Sequence, residues 1–195
     1  MIDIYGDRIS GNCLKVKWVA EHLGIAFAWH DVNVVTGATR TPALLALNPA
    51  GKVPFVVLPG GETLSESNAI IHHLAEGSAL IPVDPLARAR MLQWMFWEQY
   101  SHEPYVAVCR FQLRYLGHSA ADLDPRLVER GHAALALMEA TLAQRRFFAG
   151  DAVSLADVAL VAYTRVAHEG GFDLAGYPKV RGWIGRAEQA IGIRD

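Results

Sequence analysis

The apolar pattern changes period near residue 80, and this change restricts the possible folds more than any other feature of the chain. Before it, short apolar runs of strand length alternate with stretches of helical period. Residues 2–5 form an apolar run that stops at Gly6-Asp7. Leu14, Val16, Trp18, Val19 and Leu23 then repeat at helical spacing up to Gly24, a C-terminal cap. Residues 27–34 read as a second strand. Thr41-Pro42 opens a short helix carrying Leu44, Leu45 and Leu47, and Asn48-Pro49-Ala50-Gly51 ends it as a turn. Residues 53–58 and 63–65 form a strand pair around the turn Pro59-Gly60-Gly61-Glu62, and residues 67–76 are helical. The order β-α-β-α-β-β-α suits a mixed four-stranded sheet with helices on its faces.

After Pro85 the strand signals vanish. Helical patterns run over residues 85–117, 124–145, 154–169 and 178–190, separated by turns such as Leu123-Asp124-Pro125 and Gly170-Gly171. Residues 77–84 read as a linker. The expected organisation is an α/β domain over residues 1–78 and an all-helical domain over residues 85–195.

Charge and residue usage exclude several functions. The net charge is −2, which gives nucleic acid no basic face to bind. No apolar run nears the roughly 20 residues needed to span a bilayer, and the first residues lack the basic and long apolar regions of a secretion signal. Two cysteines, Cys13 and Cys109, are too few for a disulfide framework, so a reducing cytoplasm is expected. The eight histidines show no metal-ligand spacing; His72 and His73 are adjacent and point apart on a helix.

Three local motifs stand in order along the first domain: Ser10-Gly11-Asn12-Cys13 after the first strand, Lys52-Val53-Pro54 before the third, and Glu66-Ser67-Asn68-Ala69-Ile70 opening the third helix. With an all-helical half behind them, they resemble the cytosolic glutathione transferase superfamily over nearly the full chain, in a bacterial type with a Ser/Asn thiol site. The resemblance implies a thioredoxin-like N-terminal domain that binds glutathione as co-substrate. It implies no metal, and it implies a homodimer formed through the third helix and the first long helix.

Each motif has its own physical reading within that resemblance. The matching proline of the fold is cis, so Pro54 is expected to be cis, with the Val53 N–H and C=O facing a groove where a peptide adds as a strand. Glu66-Ser67 sits at a helix start, whose N–H groups and positive dipole end favour a carboxylate. The Ser67 hydroxyl and N–H would hold the γ-glutamyl carboxylate, and the Glu66 carboxylate its ammonium. Lys52 is placed to reach the glycine carboxylate, with Arg40 as a second cation. Ser10 and Asn12 would donate to the glutathione sulfur and favour its thiolate. Serine at this place resembles the delta and theta classes, and the Ser10/Asn12 pair resembles a bacterial Thr-x-Asn class. The residue types also fit plainer roles: Pro54 as a strand-start proline, Ser10 and Ser67 as helix caps, Asn12 as a turn residue, Lys52 and Arg40 as solvated cations.

Other residues read as structural. Tyr5 lies inside a strand. Ser10-x-x-Cys13 has the spacing of a redox Cys-x-x-Cys but lacks its attacking cysteine, so Cys13 reads as a small buried residue, as does Cys109. Ser154-Leu155-Ala156-Asp157 forms a capping box. The first long helix is crowded with Trp94, Met95, Trp97, Tyr100, Tyr105, Val106, Arg110 and Phe111. Its part facing the first domain is expected to line the electrophile pocket, with Tyr105 and Arg110 as contacts.

The reaction implied is attack of glutathione thiolate on a small hydrophobic electrophile. Two alternatives stay open: a glutathione-dependent disulfide reductase or peroxidase on the same scaffold, and a non-enzymatic binding or stress-response module.

Overall fold

The computed structural model describes residues 1–194 and divides the chain into two compact units, Met1–Ala79 and the residues from Leu80 onward. In the first unit the order is β1 (Ile2–Gly6), α1 (Gly11–His22), β2 (Phe27–Asp31), α2 (Pro42–Leu47), β3 (Phe55–Val57), β4 (Thr63–Ser65) and α3 (Ser67–Leu74), with a 3-10 turn at Ala38–Arg40. The strands form one mixed sheet in the order β2-β1-β3-β4. β1 runs parallel to β2, with Ile4 opposite Trp29, and antiparallel to β3, with Ile4 opposite Val56. Burial alternates along β1, so Ile2 and Ile4 enter the core with Val16, Val19, Phe55, Ile70 and Ile71. α1 ends where Gly24 takes a φ of 66°, which glycine adopts without steric cost.

Two strands are shorter than the sequence pattern predicts. β2 stops at Asp31 rather than 34, although Val32 N–H still donates to the Gly6 carbonyl at 3.0 Å. β3 begins at Phe55 rather than 53, because Pro54 has no N–H to give the ladder.

The second unit is helical: α4 (Pro85–Trp97), α5 (Glu103–Arg114), α6 (Pro125–Leu142), α7 (Leu155–Thr164) and α8 (Pro178–Ile191). Asp84 caps α4 by accepting the Ala87 N–H at 2.7 Å, and Asp124 caps α6 through Arg126 N–H. Every residue of α7 is buried.

The single helix predicted over 85–117 is divided by a wide π turn at Glu98–His102. Pro104 explains the division. It lacks the N–H that would close onto residue 100, and its ring clashes with that carbonyl, so the turn widens before the helix resumes. The turn is pinned from the α7 side. Thr164 Oγ1 donates to the Leu160 carbonyl at 2.7 Å, which leaves His102 Nε2 as donor to Thr164 Oγ1 at 3.1 Å.

The predicted helix over 154–169 ends at Thr164 and is followed by a 3-10 turn at Ala167–Gly170. The capping box at its start is present. Buried Asp157 accepts from Ser154 N–H (2.9 Å), Ser154 Oγ (3.0 Å), Phe148 N–H (3.1 Å) and Trp183 Nε1 (2.9 Å). It therefore ties the start of α7 to α8 and to the preceding loop. Burial pushes its carboxyl pKa up, against the pull of these four donors.

Candidate functional site

Ser10 is the N-cap residue of α1 by backbone conformation, with φ −72° and ψ 121°, yet its hydroxyl makes no cap bond. The Cys13 thiol, in the first turn of α1, accepts the Asp7 N–H at 3.3 Å. The Ser10 N–H donates to Asp7 Oδ1 at 3.0 Å, which closes the loop between β1 and α1. A cleft of about 250 Å³ opens beside this loop, lined by Asp7, Arg8, Ile9, Asp31, Val32 and Asn33. Cys13 is fully buried, and burial pushes its thiol pKa up to about 11. A thiol held in that form is a poor nucleophile at neutral pH.

Asn12 lies two residues along, half-buried, and its Oδ1 accepts from two side chains. Lys15 Nζ donates at 2.7 Å, and the Ser67 hydroxyl donates at 3.1 Å. An ammonium only donates, so this atom of the amide is its oxygen. The bond joins the residue expected at the ligand's sulfur to the residue expected at its γ-glutamyl carboxylate.

Glu66 is the residue before α3 and the one non-glycine residue with positive φ among the described residues, at φ 69° and ψ 110°. Such a conformation costs on the order of 1–3 kcal/mol and is typical of functional sites. It leaves the Glu66 side chain exposed and puts Ser67 at the first position of α3, with 5% of its surface exposed. Ser67 is therefore not the helix cap. Its N–H is one of the opening groups that helix geometry leaves without an intrahelical acceptor.

The Val53–Pro54 peptide is cis, as expected. Val53 lies outside the β3 ladder, whose paired residues are Phe55, Val56 and Val57. Lys52 is exposed, and its carbonyl accepts the Asn48 Nδ2 at 2.8 Å. Arg40 is exposed and lies against Gly51, next to Lys52, where a Cβ on that glycine would come within 3.5 Å of the arginine.

The helical-unit candidates take partners of their own. Tyr105 is half-buried, and its hydroxyl accepts from Arg130 at 3.0 Å. Arg110 is 5% exposed and pairs with Glu169 at 2.7 Å, joining α5 to the 167–170 turn. A groove of about 430 Å³ between α4 and α6 is lined by Arg90, Trp94, Trp97, Thr141 and Arg145 among others, and by neither Tyr105 nor Arg110.

Lys15 escaped the sequence reading. Its signal was a charged residue three positions after Asn12, among the buried α1 residues Cys13, Val16 and Val19. Among the described residues no group of histidine, cysteine and carboxylate side chains is arranged to hold a metal ion, and no helix is long and apolar enough to cross a membrane.

Residues 9–76 match the family model for the glutathione S-transferase N-terminal domain, and residues 120–186 match that for the glutathione S-transferase C-terminal domain. Glutathione S-transferase 3 of Zea mays is 32% identical, over 93% of this chain and 86% of its own length. Disulfide-bond oxidoreductase YfcG of Escherichia coli is 29% identical, over 94% and 88%. The solved structure of a glutathione S-transferase from Pseudomonas fluorescens superposes with a TM-score of 0.92 at 46% identity, over 96% of this chain and 94% of that one.

Proposed function

The chain belongs to the glutathione S-transferase family, and from that premise we propose that it activates glutathione at Ser10 and Asn12 for attack on small hydrophobic electrophiles. It is a glutathione transferase. The observation that carries the site reading is the Ser67–Asn12 hydrogen bond, which joins the start of α3 to the start of α1. Two helix N-termini within one bonded network suit a ligand with an anionic sulfur and an anionic carboxylate.

In this reading the Ser67 N–H binds the γ-glutamyl carboxylate, and Glu66, held outward by its backbone, pairs with the ammonium. Val53, beside Pro54, offers its backbone to the cysteinyl unit by strand addition. Lys52 takes the glycine carboxylate, and Arg40, lying over Gly51, adds a second cation. Ser10 and Asn12 Nδ2 donate to the sulfur. Hydrogen bonds to the ionised form lower its pKa, and they also hold the sulfur in line for attack. For the electrophile, Tyr105 and Arg110 are the helical-unit candidates, and the half-buried ring of Tyr105 is the more accessible.

The chain is further read as a cytoplasmic homodimer. Phe96 and Tyr100 are 73% and 82% exposed and Leu86 lies exposed on the same helical stretch, an apolar stripe suited to a second copy. Sedimentation of Phe96→Glu tests this, with monomer as the expected outcome.

Kinship with the disulfide-bond oxidoreductase keeps a second reading, reduction of glutathione mixed disulfides. Comparing turnover of an aromatic halide with that of a glutathione mixed disulfide separates the two. Transfer as the main activity predicts the faster rate with the halide.

A further inference from the structure

We propose that Lys15 is a positioning residue for thiol activation, holding the Asn12 amide so that its Nδ2 donates to the bound sulfur. The inference rests on the glutathione-binding reading above. Lys15 follows Asn12 by three residues on α1, which brings the two side chains to one face. Its side chain is fully buried, and its Nζ donates to Asn12 Oδ1 at 2.7 Å. Burying an ammonium is costly, so its charge-assisted bonds define a specific geometry rather than a solvated surface contact.

The role becomes clearer when the ligand is considered. The Ser67 hydroxyl has one proton, and in this structure it gives that proton to Asn12 Oδ1. A carboxylate arriving at Ser67 is a stronger acceptor than an amide oxygen. When the proton turns to the carboxylate, the Lys15 ammonium still holds Asn12 Oδ1, and the amide keeps its orientation. Lys15 thereby keeps the Asn12 amide set for the sulfur whether or not the carboxylate subsite is occupied.

The test uses full-length Lys15→Met, which keeps the bulk and removes the donors, and Lys15→Gln, which keeps a donor and removes the charge. Folding is checked by circular dichroism. The ultraviolet absorbance of the bound thiolate is followed against pH, with kcat and the KM for glutathione. For Lys15→Met, the thiolate midpoint is expected to rise by about one pH unit and kcat to fall about tenfold. KM should stay within about threefold, and Lys15→Gln should recover part of kcat. In an Asn12→Ala background, either Lys15 change should add nothing further.

A folded Lys15→Met protein with wild-type midpoint and kcat overturns the inference. If Lys15→Met does not fold, Lys15→Gln carries the test, and an equal effect with and without Asn12 overturns the inference. A wild type that binds glutathione without any thiolate band overturns the site reading itself, and this inference with it.

Discussion

The Ser67 hydroxyl donates to Asn12 Oδ1 at 3.1 Å, joining two residues 55 positions apart in the chain. One opens α3 and the other lies in the first turn of α1. A double-mutant cycle should show them as one unit. Ser67→Ala and Asn12→Ala are expected to be non-additive in glutathione kcat/KM, with a coupling of about 0.5–3 kcal/mol. Strict additivity would mean the bond has no part in the chemistry.

Glu66→Gln should weaken glutathione binding by leaving the substrate ammonium without a counter-charge. The charge-assisted bond is worth about 1.5–3 kcal/mol, or about one to two decades in affinity. Titration calorimetry reads this directly. Unchanged affinity would place the γ-glutamyl end elsewhere.

Ser10→Ala should lower turnover by more than its effect on thiolate population explains. A thiol of pKa about 8.5 is roughly 3% ionised at pH 7, and a drop of about two pH units makes that roughly 75%. Nucleophilicity falls with pKa along a slope of about 0.45, so about eightfold of this gain is lost and ~3-fold remains. The larger part of the serine's contribution is therefore positional. Cys13→Ser should retain turnover, since Cys13 is buried with its thiol kept protonated. Loss of activity in the Cys13 variant alone would replace the serine mechanism with a cysteine one.

Cys13 should leave a signature at alkaline pH. Burial raises its thiol from 9.0 to about 11, so the folded state keeps the proton longer than the unfolded state does. The associated stability is complete below pH 9.0 and is lost as pH rises toward 11. By pH 10 the loss is about 1.4 kcal/mol. The stability advantage of wild type over Cys13→Ala should therefore narrow by that amount between pH 8 and pH 10, measured by urea unfolding. A constant gap would show that the thiol ionises freely in the folded protein.

Asp157→Ala should destabilise the helical unit while sparing the site. Four donors lose their acceptor, two of them backbone N–H groups. Leaving a buried donor without its acceptor costs about 1–3 kcal/mol, so losing the acceptor of four exceeds the ~1 kcal/mol of a simple cap. Thermal melting should show the loss, and the KM for glutathione at low temperature should be unchanged. A specific rise in that KM in folded protein would give Asp157 a functional role.

Features that depend on local chemistry were legible along the chain. The switch from strand-and-helix alternation to unbroken helical period announced an α/β sheet followed by an all-helical half, and both are present. Gly24 ending α1 and the Ser154/Asp157 capping box lie within a few residues of the groups they serve, so spacing revealed them. Even the π turn had a local signal in Pro104, which the helical periodicity of its neighbours obscured.

Tertiary structure decided the rest, because the deciding bonds cross long stretches of chain. Asn12 and Ser67 meet only once α1 and α3 pack together on the sheet, and no spacing rule connects residues 55 positions apart. The same packing buried Lys15 and turned a charged helix position into the anchor of Asn12. It drew Arg110 to Glu169 across 59 residues, and it gave Asp157 the indole of Trp183 as a partner from α8. A side chain's type sets which bonds it can make. Which of them it makes depends on the neighbours that folding brings within about 3 Å.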